Sequence, residues 1–196
     1  EPAPQATPAP PVHPSAWIAA CAVVSPGVSI GAGARLHAGC FVGPSAQIGA
    51  GAHVHGGARV DHGAVIGEGC QLHGGCYVGP GAIMGARSTL HGAAHVAANA
   101  TLGDGCTLHG GSYVAPRASV GPCATLHGGS RIGVEAKVGP HVTMHGGSSV
   151  GDRGQLQAGA VLHGGQHVGG EGGPCSHAAW WLGNIAVQRI RWGGLF

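Results

Sequence analysis

Eight histidines recur at a fixed interval of 18 residues, and they are the side chains of this sequence best suited to carry chemistry. They are His37, His55, His73, His91, His109, His127, His145 and His163. Neutral imidazole binds transition metals and acts as a general base near neutral pH. A ninth histidine, His53, lies two residues before His55 and makes that pair the best local chelate. All nine are candidate ligands for a divalent transition metal.

The elements that position these histidines follow from the interval itself, which divides into hexapeptides such as Leu72–His–Gly–Gly–Cys–Tyr. From Ile18 to Val168 the first place of each hexapeptide is aliphatic, and the fifth is Ala, Ser, Cys or Val except at Gly154 and Gln166. The fifth place precedes the next first place by two residues, the period of a strand with one buried face. Gly, Pro and Asn between them supply a turn. Each hexapeptide therefore predicts a short strand and a corner, and three predict one triangular coil.

This pattern resembles the hexapeptide-repeat proteins, whose fold is the left-handed parallel β-helix. The resemblance covers residues 18–179, which accommodate nine coils of 18 residues without an insertion. The left hand is implied by the family, because periodicity alone predicts only a parallel solenoid. We expect an all-β fold with a Pro/Ala-rich extended segment at residues 1–17 and a short aromatic cap or contact segment at residues 180–196.

The C-terminal segment breaks the hexapeptide rule and holds half of the aromatic residues of the chain. A terminal coil exposes unpaired backbone, so it needs a cap or a partner. Tryptophan and arginine dominate protein–protein interfaces. The candidate contact residues are Trp180, Trp181, Arg189, Arg191, Trp192 and Phe196.

Stacked coils turn equivalent positions into columns, and we call the eight evenly spaced histidines the His column. The resemblance implies acyl transfer with a single histidine as general base, or zinc held by three histidines as in the gamma-class carbonic anhydrases. Eight equivalent histidines single out no catalytic residue, and the inserted loop of such enzymes is absent from the sequence. Four roles stay open for the column: stacking against a neighbouring molecule, metal binding, catalysis, and ice binding beside a row of threonines.

A second outward column alternates aromatic residues with cations or histidines. It comprises Phe41, Arg59, Tyr77, His95, Tyr113, Arg131, Ser149 and His167, and we call it the aromatic column. Neighbouring coils would bring these side chains within about 4.8 Å of one another. The order predicts cation–π and ring stacking along the prism.

Four of the seven cysteines, Cys40, Cys70, Cys76 and Cys106, occupy fifth places. They are expected to point inward as small apolar residues, too far apart for disulfides. Cys21 and Cys123 are expected to point outward.

Composition bears on function, because only 8% of the residues are charged and the net charge is +2. The sequence has no basic stripe that would bind nucleic acid, and it has no run of 18 apolar residues that would span a membrane. So weakly charged a surface is typical of one that is covered, and the Pro/Ala-rich start resembles the mature end of a secreted chain. We expect a homo-oligomeric or polymeric structural protein that self-assembles into an extracellular filament or sheath. The alternative is a trimeric hexapeptide acyltransferase-like enzyme, or a His-ladder metal-binding protein. Separately, Asn99–Ala–Thr101 fits the acceptor motif for an N-linked glycan.

Overall fold

The computed structural model describes residues 12–169, which form a left-handed parallel β-helix. These residues contain 26 two-residue strands, joined by tight turns and without any helix. Eight coils are complete and two sides of a ninth follow, with no insertion between Trp17 and Val168. The predicted fold class and hexapeptide-repeat family are therefore confirmed.

The strands make three parallel sheets, one on each side of the prism. The first sheet comprises β1 (Trp17–Ile18), β4 (Arg35–Leu36), β7 (His53–Val54), β10 (Gln71–Leu72), β13 (Thr89–Leu90), β16 (Thr107–Leu108), β19 (Thr125–Leu126), β22 (Thr143–Met144) and β25 (Val161–Leu162). The second comprises β2 (Val23–Val24), β5 (Phe41–Val42), β8 (Arg59–Val60), β11 (Tyr77–Val78), β14 (His95–Val96), β17 (Tyr113–Val114), β20 (Arg131–Ile132), β23 (Ser149–Val150) and β26 (His167–Val168). The third comprises β3 (Ser29–Ile30), β6 (Gln47–Ile48), β9 (Val65–Ile66), β12 (Ile83–Met84), β15 (Thr101–Leu102), β18 (Ser119–Val120), β21 (Lys137–Val138) and β24 (Gln155–Leu156).

Register between neighbouring coils follows the 18-residue repeat of the sequence. Leu72 pairs with Leu90, and Leu90 pairs with Leu108. Just past each first-sheet strand the backbone continues the ladder, so that the His73 N–H donates to the Leu90 carbonyl over 2.8 Å. Columns read from the sequence are therefore physical ladders, which fixes the distance between side chains that repeat every 18 residues.

The core lies inside the prism, because from β3 to β25 the second residue of each strand and the residue before the strand are both buried. Leu72 and Leu108 are 0% exposed. The four cysteines at fifth places are buried and free, as predicted, and Cys21 and Cys123 are exposed and free. Cys175 lies outside the described residues.

Some corners of the prism leave no room for a side chain. A Cβ built at Gly103 would lie 2.5 Å from the Pro122 nitrogen, and one at Gly121 would lie 2.5 Å from the Pro140 nitrogen. A backbone atom at that distance leaves no room for a side chain. Glycine at these corners is thus required by the approach of the next coil.

The described residues begin five residues before the first strand. At the first end, Val12 forms a parallel bridge with Ile30 of the third sheet. At the other end, the candidate contact residues all lie outside the described residues; they are Trp180, Trp181, Arg189, Arg191, Trp192 and Phe196. Between residues 12 and 169 there is no helix long and apolar enough to cross a membrane.

Candidate functional site

The His column forms one continuous stack of imidazole rings along the edge of the first sheet. Successive ring centroids are separated by 4.5 Å at His37–His55 and by 5.3 Å at His145–His163. The angle between neighbouring rings never exceeds 9°. The predicted stacking of imidazoles is confirmed, and the regularity leaves the central rings equivalent to one another.

Burial and crowding favour the neutral form of two rings in this stack. Partial burial lowers the pKa of His55, and the nearby His73, His37 and His53 lower it further. Partial burial also lowers the pKa of His91, with a smaller contribution from His73. Both rings therefore keep a free lone pair near neutral pH.

The first two coils of the column differ from the rest, because they add a third imidazole. His37, His53 and His55 each present a ring nitrogen within 4.8 Å of the other two. His53 occupies the outward position two residues before His55, where the later described coils carry Gln, Thr or Val. We call these three residues the His triad. It could hold a metal ion.

A cleft of about 400 Å³ lies beside the His triad. Its lining includes Ser15, Trp17, Arg35 and His37. The Trp17 ring meets the His37 ring edge-on, with centroids 5.3 Å apart. An aromatic ring, a guanidinium and an imidazole therefore surround a single concave space at this end of the prism.

The aromatic column on the second sheet contains a different kind of histidine environment. His95 is stacked between Tyr77, at 4.6 Å, and Tyr113, at 5.0 Å, measured between ring centroids. Burial lowers its pKa, so the ring is neutral near neutral pH. Its Nδ1 atom is buried and has no hydrogen-bond partner. Among the described histidines only His95 has a tyrosine ring on both faces.

Polar groups continue from His95 in both directions along the second sheet. The Tyr77 hydroxyl donates to Asp61 Oδ2 over 3.0 Å, and the Arg59 guanidinium lies 4.6 Å from the Phe41 ring centroid. These contacts confirm the predicted stacking over the first part of the aromatic column. Toward the C-terminal end, a groove of about 320 Å³ begins at Tyr113; its lining includes Arg131, Ser149 and Asp152.

Comparison with known proteins places the chain in a family. Residues 25–127, more than half of the chain, match the family described as the GMPPB C-terminal domain. The chain belongs to this family. No curated protein matches the chain in sequence.

Solved structures of similar fold include UDP-N-acetylglucosamine acyltransferases. The Francisella novicida enzyme is 16% identical, with a TM-score of 0.51 over 77% of this chain and 62% of its own. The Moraxella catarrhalis enzyme is 18% identical, with a TM-score of 0.45 over 70% of this chain and 66% of its own. The chain spans less than two thirds of the length of either enzyme.

These comparisons correct the functional prediction. The prediction of a structural, self-assembling filament is wrong: the chain belongs to the family of the GMPPB C-terminal domain, and solved structures of similar fold include enzymes. Part of the low charge reflects the close approach of successive coils, which leaves no room for a side chain at corners such as Gly103 and Gly121.

The fixed spacing of the histidines predicted the His column and His53 as candidate ligands, but it did not single out His95. Its signal was present, since tyrosines occur 18 residues before and after it. The Ser15–Trp17–Arg35 side of the cleft was also missed. Those residues precede or flank the first complete repeat, where periodicity carries little information.

Proposed function

We propose that this protein is an acyltransferase-like enzyme of the hexapeptide-repeat class, with His95 as its general base. The observation that carries the proposal is the unique environment of His95, a neutral imidazole held between two tyrosine rings with one nitrogen enclosed. The activity in the name of the Francisella enzyme suggests the reaction, transfer of an acyl group to a sugar nucleotide.

The geometry around His95 suits a base that works at the ring edge. Tyr77 and Tyr113 cover both faces of the ring, and Nδ1 is enclosed. A substrate can therefore reach the imidazole only through Nε2. A lowered pKa keeps the nitrogen lone pair available near neutral pH, as a general base requires.

The reaction balances with an acyl thioester as donor. His95 Nε2 accepts the proton of an acceptor hydroxyl or amine while the acceptor atom attacks the thioester carbonyl. The carbon–sulfur bond then breaks, and the imidazolium returns the proton to the departing thiolate. The products are an acylated acceptor and a free thiol.

The groove that begins at Tyr113 supplies a place for the phosphate-bearing part of a substrate. Arg131 lies one coil beyond Tyr113 and is exposed. A guanidinium pairs well with phosphate oxygens. We assign Arg131 the role of holding a phosphate of the donor or of the sugar nucleotide.

We also expect the protein to act as a homotrimer, the assembly proposed for the acyltransferase alternative. Exposed apolar side chains, among them Trp17, Val23 and Ile83, offer apolar surface for subunit contacts. Light scattering coupled to size-exclusion chromatography measures the assembly directly.

The test is acyl transfer by the full chain, with acyl-coenzyme A thioesters of increasing length as donors and UDP-N-acetylglucosamine as the acceptor probe. Mass spectrometry of the acceptor is the readout, because exposed Cys21 and Cys123 would react with thiol dyes. His95→Gln should lower kcat by about 100-fold to 10,000-fold, the usual contribution of a general base.

The matched control is His127→Gln, since His127 is an equivalent member of the stacked column with no place in the proposed site. It should retain wild-type kcat. Wild-type turnover by His95→Gln, or equal loss in the two variants, would refute the assignment of His95.

A further inference from the structure

We propose that the His triad, His37, His53 and His55, is a binding site for one divalent transition-metal ion of the zinc type. The site is independent of the acyl-transfer proposal, because the two share no residue. The metal alone is the ligand considered, with water in the remaining coordination position.

The donor atoms of the His triad lie close enough together to bind a single ion. One nitrogen from each imidazole lies within 4.8 Å of the other two. Zinc–nitrogen bonds of about 2.0–2.1 Å in a tetrahedron place ligand nitrogens about 3.4 Å apart. The three rings need to close by about 1.4 Å at most, which rotation of half-exposed imidazoles about their side-chain bonds provides.

One ring nitrogen of the His triad is unpaired. His37 Nε2 is buried and has no hydrogen-bond partner. An unpaired polar atom in such a place costs free energy unless a ligand satisfies it. A metal ion bound at His37 Nε2 would be that ligand, and imidazole is among the preferred donors of zinc-type ions.

In the next coil, the side chains at the two outward positions that correspond to His53 and His55 lie within hydrogen-bond distance of each other. His73 Nε2 and Gln71 Oε1 are 3.2 Å apart, and they occupy the places of His55 and His53 one coil later. Side chains two residues apart on this sheet therefore reach each other. In the first coils the partner is a second imidazole, which turns a hydrogen-bonded pair into a chelate.

The charge around the triad shapes what the site accepts. Arg35 pairs in register with His53 and is the nearest cation in that column. Its charge opposes a metal ion but favours an anionic fourth ligand. His37 also lines the cleft of about 400 Å³, so a coordination position is open on that side. Three protein ligands with an open fourth position are typical of zinc sites that exchange ligands.

The test is metal binding by the chelator-treated full chain, with Zn²⁺ in calorimetry and Co²⁺ as a spectroscopic probe of the ligand field. The wild type should bind one tight equivalent, and Co²⁺ should give the absorption of a nitrogen-rich four-coordinate site. His53→Gln should weaken Zn²⁺ binding by about 100-fold, since one ligand of three is lost. Glutamine suits the fold there, because Gln71 occupies the same place one coil later.

Two further variants make the outcome decisive. His127→Gln removes a column histidine away from the triad and should leave the affinity unchanged. Thr107→His recreates the triad beside His91 and His109 and should add a second tight equivalent, because Thr107 holds the place of His53 three coils later.

Absence of a tight equivalent in the wild type would overturn the proposal. So would wild-type affinity in a folded His53→Gln variant, since the ion would then be bound elsewhere. The two proposed sites can be tested separately. His95→Gln should lose acyl transfer and keep zinc binding, whereas His53→Gln should lose zinc binding and keep acyl transfer.

Discussion

Lowering the pH from about 8 to about 5 is expected to destabilise the β-helix through the His column and His95. The unfolded chain protonates its histidines near pH 6.5. In the folded chain the pKa values of His55, His91 and His95 are lowered, chiefly by burial. The unfolded state therefore binds more protons in the window below 6.5. Stability from these groups is fully present above that window and is lost as the pH falls through it.

The size of the effect follows from the spacing of the rings. Imidazolium charges at the 4.9 Å separating His109 and His127 repel by about 0.8 kcal/mol in bulk water, and by more near a protein surface. The seven neighbouring pairs of rings would together cost about 6 kcal/mol if all eight rings were charged, which is a large part of a typical folding free energy. Charging alternate rings, roughly 10 Å apart, lowers the cost to about 1 kcal/mol. The expected loss lies between these limits.

The assay is urea denaturation followed by far-ultraviolet circular dichroism at about pH 8 and about pH 5. The matched variant replaces alternate rings, His73→Gln, His109→Gln and His145→Gln, and should show a smaller loss of stability. Asp61, whose pKa is lowered first by the His62 backbone N–H, loses its stabilising charge only at lower pH and does not interfere. An equal loss in the wild type and the triple variant would refute the role assigned to the column.

Two further predictions concern the interior and the corners. Gly121→Ala should lower the free energy of unfolding by about 3 kcal/mol, because the new Cβ would lie 2.5 Å from the Pro140 nitrogen. Gly111→Ala has open space around the new Cβ and should cost only about 1 kcal/mol, for its positive φ. Urea denaturation of both variants measures the difference, and equal costs would count against the close approach of successive coils. Ser130→Ala should raise the free energy of unfolding by about 1 kcal/mol, because the buried Ser130 hydroxyl has no hydrogen-bond partner. Ser88→Ala should lower it, because the Ser88 hydroxyl donates to the Gly103 carbonyl. Thermal unfolding compares the two variants, and destabilisation by Ser130→Ala would show that the Ser130 hydroxyl does have a partner.

Most of the fold could be predicted because every 18-residue repeat carries the same pattern of buried and turn residues. Each coil presents the same inward aliphatic residue and the same small residue before it, so a single irregular position does not disturb the pattern. The alignment of Leu72 with Leu90 and Leu108 needed only the period. The hand of the helix required the family resemblance, because parallel strands of either hand give the same period.

The candidate sites were less predictable, since they depend on differences between coils. Stacking of the column followed from the period, but the closeness of His53 to both His37 and His55 depends on where the rings point. The contribution of the corner glycines to the low surface charge was also hard to see from the sequence. The sequence shows that glycine is abundant, yet only the backbone of the next coil shows that Gly103 and Gly121 have no room for a side chain.

In a solenoid this regular, function must arise where one coil differs from its neighbours. The backbone of every described coil is nearly the same, so only side chains can distinguish one position along the prism from another. The mid-column rings, such as His109 and His127, are stacked alike and share one environment. His53 and His95 break that uniformity, one by adding a third imidazole to the column and the other by standing between two tyrosines. They lie on different sheets, so substituting either residue tests one proposed site and leaves the other intact.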